Sequence, residues 1–278
     1  MGVKGLYSCL KSYSVPIQFQ ECAPLTIGLD AYPFLYKFKQ DLDSCLRLFQ
    51  GFVEAGHSLV LYVDGNPPKE KLEELASRRH QKEQAYKQAE ALRVFLQDPE
   101  KSGSLDAEAR EILQQQIRAY EVESYSIRKE VRESFLQRVK EELKIPIVQC
   151  EGESDPALIQ ASIKGEIDCV IANDMDLFVG GVERLWMLGK TSADPLLLEF
   201  RRSVISQQLG IPPERWMDVA ILAGYEKVPQ LKRTSAQQAI GWIRYYGSLE
   251  ALLVRRMELL QGASREDFLE ARKFFLPE

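Results

Sequence analysis

Runs that are apolar on consecutive positions and rich in β-branched residues recur along the chain. They are "LTIGLDA" (25–31), "SLVLYVDG" (58–65), "KIPIVQC" (144–150), "IDCVIAND" (167–174) and "RLWMLG" (184–189). Consecutive rather than alternating apolar positions suit strands buried on both faces. Helical spacing fills the intervals at 33–55 and at 154–164, the latter with Pro156 in its first turn and Gly165 after it. Alternation of strands and helices predicts an α/β fold, a mostly parallel central sheet flanked by helices with right-handed crossovers. The stretch 69–143 is too long for an ordinary crossover; it is charged, with the two signs roughly balanced, and broken once by "DPEKSGS" (98–104). It reads as two helices rising out of the core, the second starting near Ser104, with a solvated coiled-coil arm as the alternative. After residue 200 the pattern is helical only, with turn signals at "LGIPPE" (209–214), "YGS" (246–248) and "LQGAS" (260–264). The expected organisation is one domain: a core at 1–68 and 144–200, a helical insertion at 69–143, and a helical lobe at 201–278.

Composition narrows the class. With 278 residues, 45% of them hydrophobic, the chain can bury a full core. No apolar run approaches the roughly 20 residues needed to cross a bilayer, and "MGVKGLYSCL" lacks the features of a secretory signal. Position 6 is leucine where a myristoylation motif wants serine or threonine. The five cysteines are odd in number, scattered and without CxxC spacing, which reads as reduced thiols in an intracellular protein. Only His57 and His80 exist, which argues against a histidine-rich metal site; each reads as a surface or edge residue. The formal charge of −5 argues weakly against nucleic acid, but net charge averages over faces and can hide a local basic track.

Acidic residues sit at or just past the carboxyl ends of four expected strands: Asp30, Asp64, the pair Glu151 and Glu153, and the pair Asp174 and Asp176. Ligands of open parallel sheets bind outside those ends. A single aspartate there is commonly a helix cap or turn residue, but six carboxylates on one edge repel one another unless cations neutralise them. Hard divalent ions with oxygen ligands, Mg²⁺ with Mn²⁺ as a substitute, fit such a set. Two of them about 3.5 to 4 Å apart can activate water and stabilise the leaving oxygen of a phosphodiester.

The motifs "MGVKGL", "IGLDAYPFLYKF", "YVDGNPPKEKLEELASRR", "CEGESDPALI", "ANDMDLFVGG", "DVAILAGYE" and "GSLEALLVRRM" follow one another in an order and spacing that resemble the flap endonuclease family of structure-specific 5′-nucleases. The resemblance covers nearly the whole chain. It implies a nuclease that cuts branched DNA near the junction of a 5′ single strand with duplex, using two divalent ions. Asp30, Asp64, Glu151, Glu153, Asp174 and Asp176 match the family's metal-binding acids, and Glu226 falls on its seventh, where relatives have aspartate. Lys71 and Arg78 match the basic pair that contacts the scissile phosphate. Their seven-residue spacing is two helical turns, so both lie on one face, although such a pair is also common on a solvated face. Tyr36 matches an aromatic that stacks on a base beside the cut, with a core tyrosine as the alternative. Gly2 matches the N-terminal segment near the bent duplex. The segment 69–143 corresponds to the arch that holds the 5′ strand, and within it Arg118, Arg128 and Lys129 are candidate phosphate contacts.

The chain departs from the family in its helical lobe. Relatives carry a glycine-containing turn that binds duplex phosphates and a monovalent cation, whereas the aligned "LKRTSAQQA" (231–239) has no glycine. Duplex contact there is expected to rest on Lys232 and Arg233. No sliding-clamp motif is recognisable, because the glutamine that should precede Phe274 and Phe275 is missing; these two are read as core packing. The expected function is a Mg²⁺-dependent 5′-flap endonuclease, with 5′-exonuclease activity as an extension, in DNA replication, repair or recombination. The expected protein is a monomer, has no membrane partner, and works in the nucleus or another site of DNA replication. The altered acid and the glycine-free turn leave a rival, a noncatalytic nucleic-acid- or protein-binding scaffold derived from such a nuclease.

Overall fold

The computed structural model describes residues 3–39, 41–67, 72–103, 105–189, 196–225, 234–257 and 264–274. Seven strands form one sheet: β1 (Val15–Pro16), β2 (Thr26–Asp30), β3 (Ser58–Val63), β4 (Ile147–Gln149), β5 (Cys169–Ile171), β6 (Arg184–Leu188) and β7 (Leu197–Arg201). Their order is β1-β7-β6-β5-β2-β3-β4. The five strands from β6 to β4 run parallel, and β7 and β1 add an antiparallel margin. The expected strands match β2 to β6. The sequence reading left out β7 and β1, and the reasons are local: Glu199 interrupts the apolar run of β7, and β1 has two residues, one of them proline. Glu199 is nevertheless nearly buried, because Arg184, Arg201 and Trp186 Nε1 (2.8 Å) all donate to it.

After β1 at the antiparallel margin the chain crosses to β2 in the interior of the sheet, moves outward through β3 to β4, and then returns to place β5 on the other side of β2. The switch point therefore lies between β2 and β5, where such sheets bind ligands. Close approach fixes this region. A Cβ on Gly28 would stand 2.7 Å from Ile167 Cδ1 and 2.9 Å from Leu158 Cδ2. Gly65 is tighter, since a Cβ there would lie 2.0 Å from the carbonyl oxygen of Cys150. Its N–H donates to Gly152 O at 2.6 Å, and Gln149 Nε2 donates to Asp64 O at 2.8 Å. The loops that follow β3 and β4 are thus locked to each other through backbone.

Short helix α1 (Leu6–Leu10) precedes the sheet. The expected helix over 33–55 is two helices, α2 (Ala31–Lys37) and α3 (Leu42–Glu54). Asp41 caps the second by accepting from Ser44 N at 3.0 Å, a stop and restart that the continuous apolar spacing conceals. His57 corrects another expectation, because it is buried. Its Nδ1 accepts from Leu25 N at 3.1 Å and its Nε2 lies 2.9 Å from Phe19 O, so Nε2 carries the proton.

The molecule has two compact units, one of residues 1–65 with 135–278 and the other of residues 66–134. Within the second, α4 (Leu72–Gln97), the single turn α5 (Pro99–Ser102) and α6 (Ala107–Ser124) form a hairpin. Buried Ala85, Ala89 and Ile117 form its thin apolar seam, and Arg93 bonds Glu121 across it. The break expected near Ser104 lies between α5 and α6, and Ser104 itself is outside the described residues. A further break at 125–128, unmarked by glycine or proline, separates α6 from α7 (Lys129–Glu142). None of the described helices is long and apolar enough to cross a membrane, and the five cysteines are free thiols.

The remaining helices are α8 (Ser154–Ile163), α9 (Asp176–Gly180), α10 (Arg202–Leu209), α11 (Trp216–Ala223), α12 (Ala236–Tyr246), α13 (Leu249–Arg255) and α14 (Arg265–Glu270). Asp218, fully buried on α11, holds the C-terminal helices together. It accepts from Arg272 Nε at 2.7 Å and from Leu249 N at 3.1 Å, while Arg272 also clasps Glu250 on α13. Phe274 and Phe275, read as core packing, fall where side chains are outside the described residues.

Two predictions follow from these contacts. Gly65→Ala must displace backbone rather than a flexible side chain, so it should destabilise by about 3 kcal/mol. A urea midpoint matching wild type would contradict the close approach. The Arg272 hydrogen bond holds the Glu250 carboxyl down at about 2, against an ordinary 4.5. A depressed carboxylate contributes stability above its unfolded value and loses it as pH falls through its folded one. The stability gap between wild type and Glu250→Gln should therefore be largest near neutral pH and close between pH 4.5 and about 2. A gap independent of pH in parallel urea titrations would refute this origin.

Candidate active site

Four neighbouring strands, in the order β5-β2-β3-β4, deliver acids to one edge of the sheet. Asp30 ends β2 and caps α2, its Oδ1 accepting from Tyr32 N at 3.1 Å. Asp64 follows β3, and its Oδ1 accepts from Ser154 N, the first residue of α8, at 2.7 Å. Beyond β5, Asp174 Oδ1 accepts from Asp176 N at 3.0 Å, and Asp176 Oδ1 accepts from Val3 N at 3.1 Å. Asp30 and Asp174 thus carry out the cap or turn role that a lone aspartate at a strand end usually has, whereas Asp64 and Asp176 accept from residues distant in sequence. All four also converge, which caps alone do not require. Glu151 is exposed in the loop after β4, and Glu153 is the residue that precedes α8.

Electrostatics shows how close this convergence is. Burial, with the charges of Asp64 and Asp174, pushes the Asp30 carboxyl up to about 7, against the lowering effect of hydrogen bonds from Tyr32 N–H and Ser154. Burial raises the Asp155 carboxyl well above the usual range, and Asp174, Asp30, Asp176 and Glu153 add to the shift. Two residues here escaped the sequence reading. Buried Ser154 connects two acids, giving its N–H to Asp64 and its side-chain hydrogen bond to Asp30. Asp155, the second residue of α8, lies among the acids although it belongs to no strand end. The signal was present in "EGESD", where an acid continues the Glu153 series into the helix.

Among the described residues, no three His, Cys, Asp or Glu side chains are set to hold a metal ion in their present arrangement. The chemistry of the donors nevertheless fits a hard cation. The groups that act on one another are carboxylates, and at Asp30 and Asp155 burial and like charge both favour neutralisation. His57 takes no part, since its ring nitrogens are bonded to Leu25 N and Phe19 O.

The other expected site residues are distributed differently. Tyr36 is 42% exposed on α2, opposite buried Phe34 and Leu35, so it is not a core tyrosine. Arg78 on α4, Arg118 on α6, Arg128 and Lys129 belong to the unit of residues 66–134. Arg118, Arg128 and Lys129 are exposed, and Lys129 lies 3.7 Å from Glu133, so acidic neighbours do interleave the basic residues there. Gly2, Lys71, Glu226, Lys232 and Arg233 lie outside the described residues.

No family model matches the chain. It is 25% identical to Flap endonuclease 1 of Ignicoccus hospitalis, over 99% of this chain and 82% of that protein. It is 26% identical to Flap endonuclease 1-A of Oryza sativa subsp. japonica, over 80% of this chain but 55% of the relative, so it spans about half the length of that protein. The fold matches the catalytic core of Rad2 in complex with DNA substrate with a TM-score of 0.62, covering 98% of this chain and 79% of that one at 14% identity. Sequence relatives that run the length of the chain and a shared fold make the chain similar to flap endonucleases and related structure-specific nucleases.

Proposed function

We propose that this protein is a structure-specific 5′-flap endonuclease that hydrolyses DNA phosphodiester bonds in replication, repair or recombination, with 5′-exonuclease activity as an extension. The observation that carries the reading is the convergence of Asp30, Asp64, Glu153, Asp174 and Asp176 on the edge beside the switch point. The relatives named Flap endonuclease 1 and the likeness to a DNA-bound Rad2 core support it. The substrate proposed is branched DNA with a 5′ single-stranded flap, and the site of action is the nucleus or another place of DNA replication. The protein is proposed to act as a monomer.

Asp30, Asp64, Glu151, Glu153, Asp174 and Asp176, with Glu226, would hold Mg²⁺, or Mn²⁺ in its place; such ions supply an activated water and neutralise charge on phosphate oxygens. The chain's own part is positioning. Backbone N–H groups at Tyr32, Ser154, Asp176 and Val3 each fix one carboxylate oxygen, so the acids keep their places despite mutual repulsion. Ser154 couples the β2 and β3 acids through a single residue. Lys71 and Arg78 are proposed to meet the scissile phosphate, where cations stabilise charge that grows in the transition state. Exposed Tyr36 offers a face on which a base can stack without sequence preference. Gly2, Arg118, Arg128, Lys129, Lys232 and Arg233 are proposed contacts to DNA that carry no sequence information.

A labelled 5′-flap duplex tests the reading. Cleavage should occur with Mg²⁺ and stop in EDTA; equal cleavage in EDTA or none with Mg²⁺ would sink it, and tight flap binding without cleavage would favour the noncatalytic scaffold. Asp174→Asn keeps the acceptor for Asp176 N but removes the charge. It should lower cleavage by more than about 100-fold, the upper end of losses seen for groups that merely support a metal ligand. Thermal stability should be unchanged. Cleavage near the wild-type rate would remove Asp174 from the site.

A further inference from the structure

Helix α12 departs from ordinary amphipathic design on its outer side. Ala236, Ala239, Ile240 and Ile243 form one helical stripe and are buried in the core. The opposite stripe, where such a helix is normally polar, carries Gln238, Gly241, Trp242 and Tyr245. Tyr245 is 77% exposed, more than any other large apolar or aromatic side chain among the described residues. Its ring meets Tyr246 edge-on, with 4.8 Å between centroids, and Tyr246 packs against the core, so the exposed ring has a firm base. Trp242 is half-buried, and the guanidinium of Arg256, just past α13, lies 5.9 Å from its ring centroid. A Cβ on Gly241 would meet nothing within 4 Å. No close packing requires glycine there, although only proline forms helix less readily. The glycine leaves bare backbone one turn before Tyr245, and a helical side chain leans over that turn. A flat group has room beside the ring.

Charge on this face is one-sided. Helix α12 has no acid, and Glu250, the one acid of α13, is clasped by Arg272. Arg255 ends α13 exposed, and Arg256 follows it. In a chain of formal charge −5 the face is locally cationic.

We propose that this face binds single-stranded nucleic acid: an unpaired base stacks on Tyr245 over the bare backbone at Gly241, and Arg255 and Arg256 meet the adjoining phosphates. Exposed aromatic rings with cations beside them make a sequence-tolerant platform for such strands. Bases paired and stacked in a duplex offer no free face, so the platform selects single strand over duplex. The site uses none of the edge acids and is independent of cleavage, so it goes beyond the function proposed above.

Tryptophan emission of the full chain in EDTA tests this, because Trp186 and Trp216 are fully buried and Trp242 is the accessible one of the three. Oligothymidylate should quench the wild-type emission, and Trp242→Phe should abolish the quench. A duplex of the same length should give none. Tyr245→Ala should raise Kd by about 5-fold or more, the loss expected for one stacked base, whereas Tyr245→Phe should keep the wild-type value. Gly241→Leu covers the bare backbone, so it should weaken binding about as much while melting at or above the wild-type temperature. Equal quenching by duplex, quenching that survives Trp242→Phe, or a smaller rise in Kd for Tyr245→Ala would overturn the proposal. So would the absence of any quench, which would leave the face, bordered by exposed Val254 and Met257, to a protein partner. None of these outcomes bears on cleavage of a 5′ flap.

Discussion

Mutual repulsion among carboxylates at one sheet edge is the constraint to which the surrounding structure answers. Two unit charges about 4 Å apart repel by roughly 4 kcal/mol at the effective dielectric of a protein surface, and Asp30 shows the result in a carboxyl pushed up to about 7. The chain keeps Asp30, Asp64, Asp174 and Asp176 in place by giving each a fixed backbone donor. Tyr32 N, Ser154 N, Asp176 N and Val3 N come from the starts of α2, α8 and α9 and from the N-terminal segment, so several elements are anchored by the same groups that repel one another. The close approach at Gly65 belongs to the same device, because it holds the Asp64 loop against the loop of Glu151 and Glu153.

How legible this was depends on whether a residue's role is set by local pattern or by distant contact. Strands β2, β3, β5 and β6 could be read because their central positions are buried on both faces and therefore apolar without alternation. Strand β7 could not, because Glu199 looks like a surface residue until Arg184, Trp186 and Arg201 gather on it from two strands. His57 was misread for a similar reason: its partners, Leu25 N and Phe19 O, are more than thirty residues away in sequence.

The acids followed the same division. Asp30, Asp64, Asp174 and Asp176 were legible because strand ends are visible in the hydropathy pattern and the sheet places such ends together. Ser154 and Asp155 sit in the first turn of α8, where serine and aspartate are ordinary capping residues, so composition gave no reason to single them out. Their place at the edge follows from the packing of α8 over β2, which Gly28 permits by lacking a side chain. That permission appears in the sequence only as a glycine inside a strand.

Other buried acids in the same molecule show why the edge differs from ordinary structure. Asp218 is fully buried, and Arg272 and Arg215 pair with it; Glu199 is nearly buried, and Arg184 and Arg201 pair with it. Where this chain buries a carboxylate for stability, it supplies a guanidinium, whose fixed fork of donors suits the task. Asp30, Asp64 and Asp155 have no arginine or lysine partner among the described residues, and the charges acting on Asp30 and Asp155 are other acids. Pairing acids with arginine in the core while leaving those at the switch point without a cationic side chain sets the edge acids apart from those that hold the fold. At Asp30 and Asp64 the cost of lacking that side chain is borne by the backbone N–H groups of Tyr32 and Ser154.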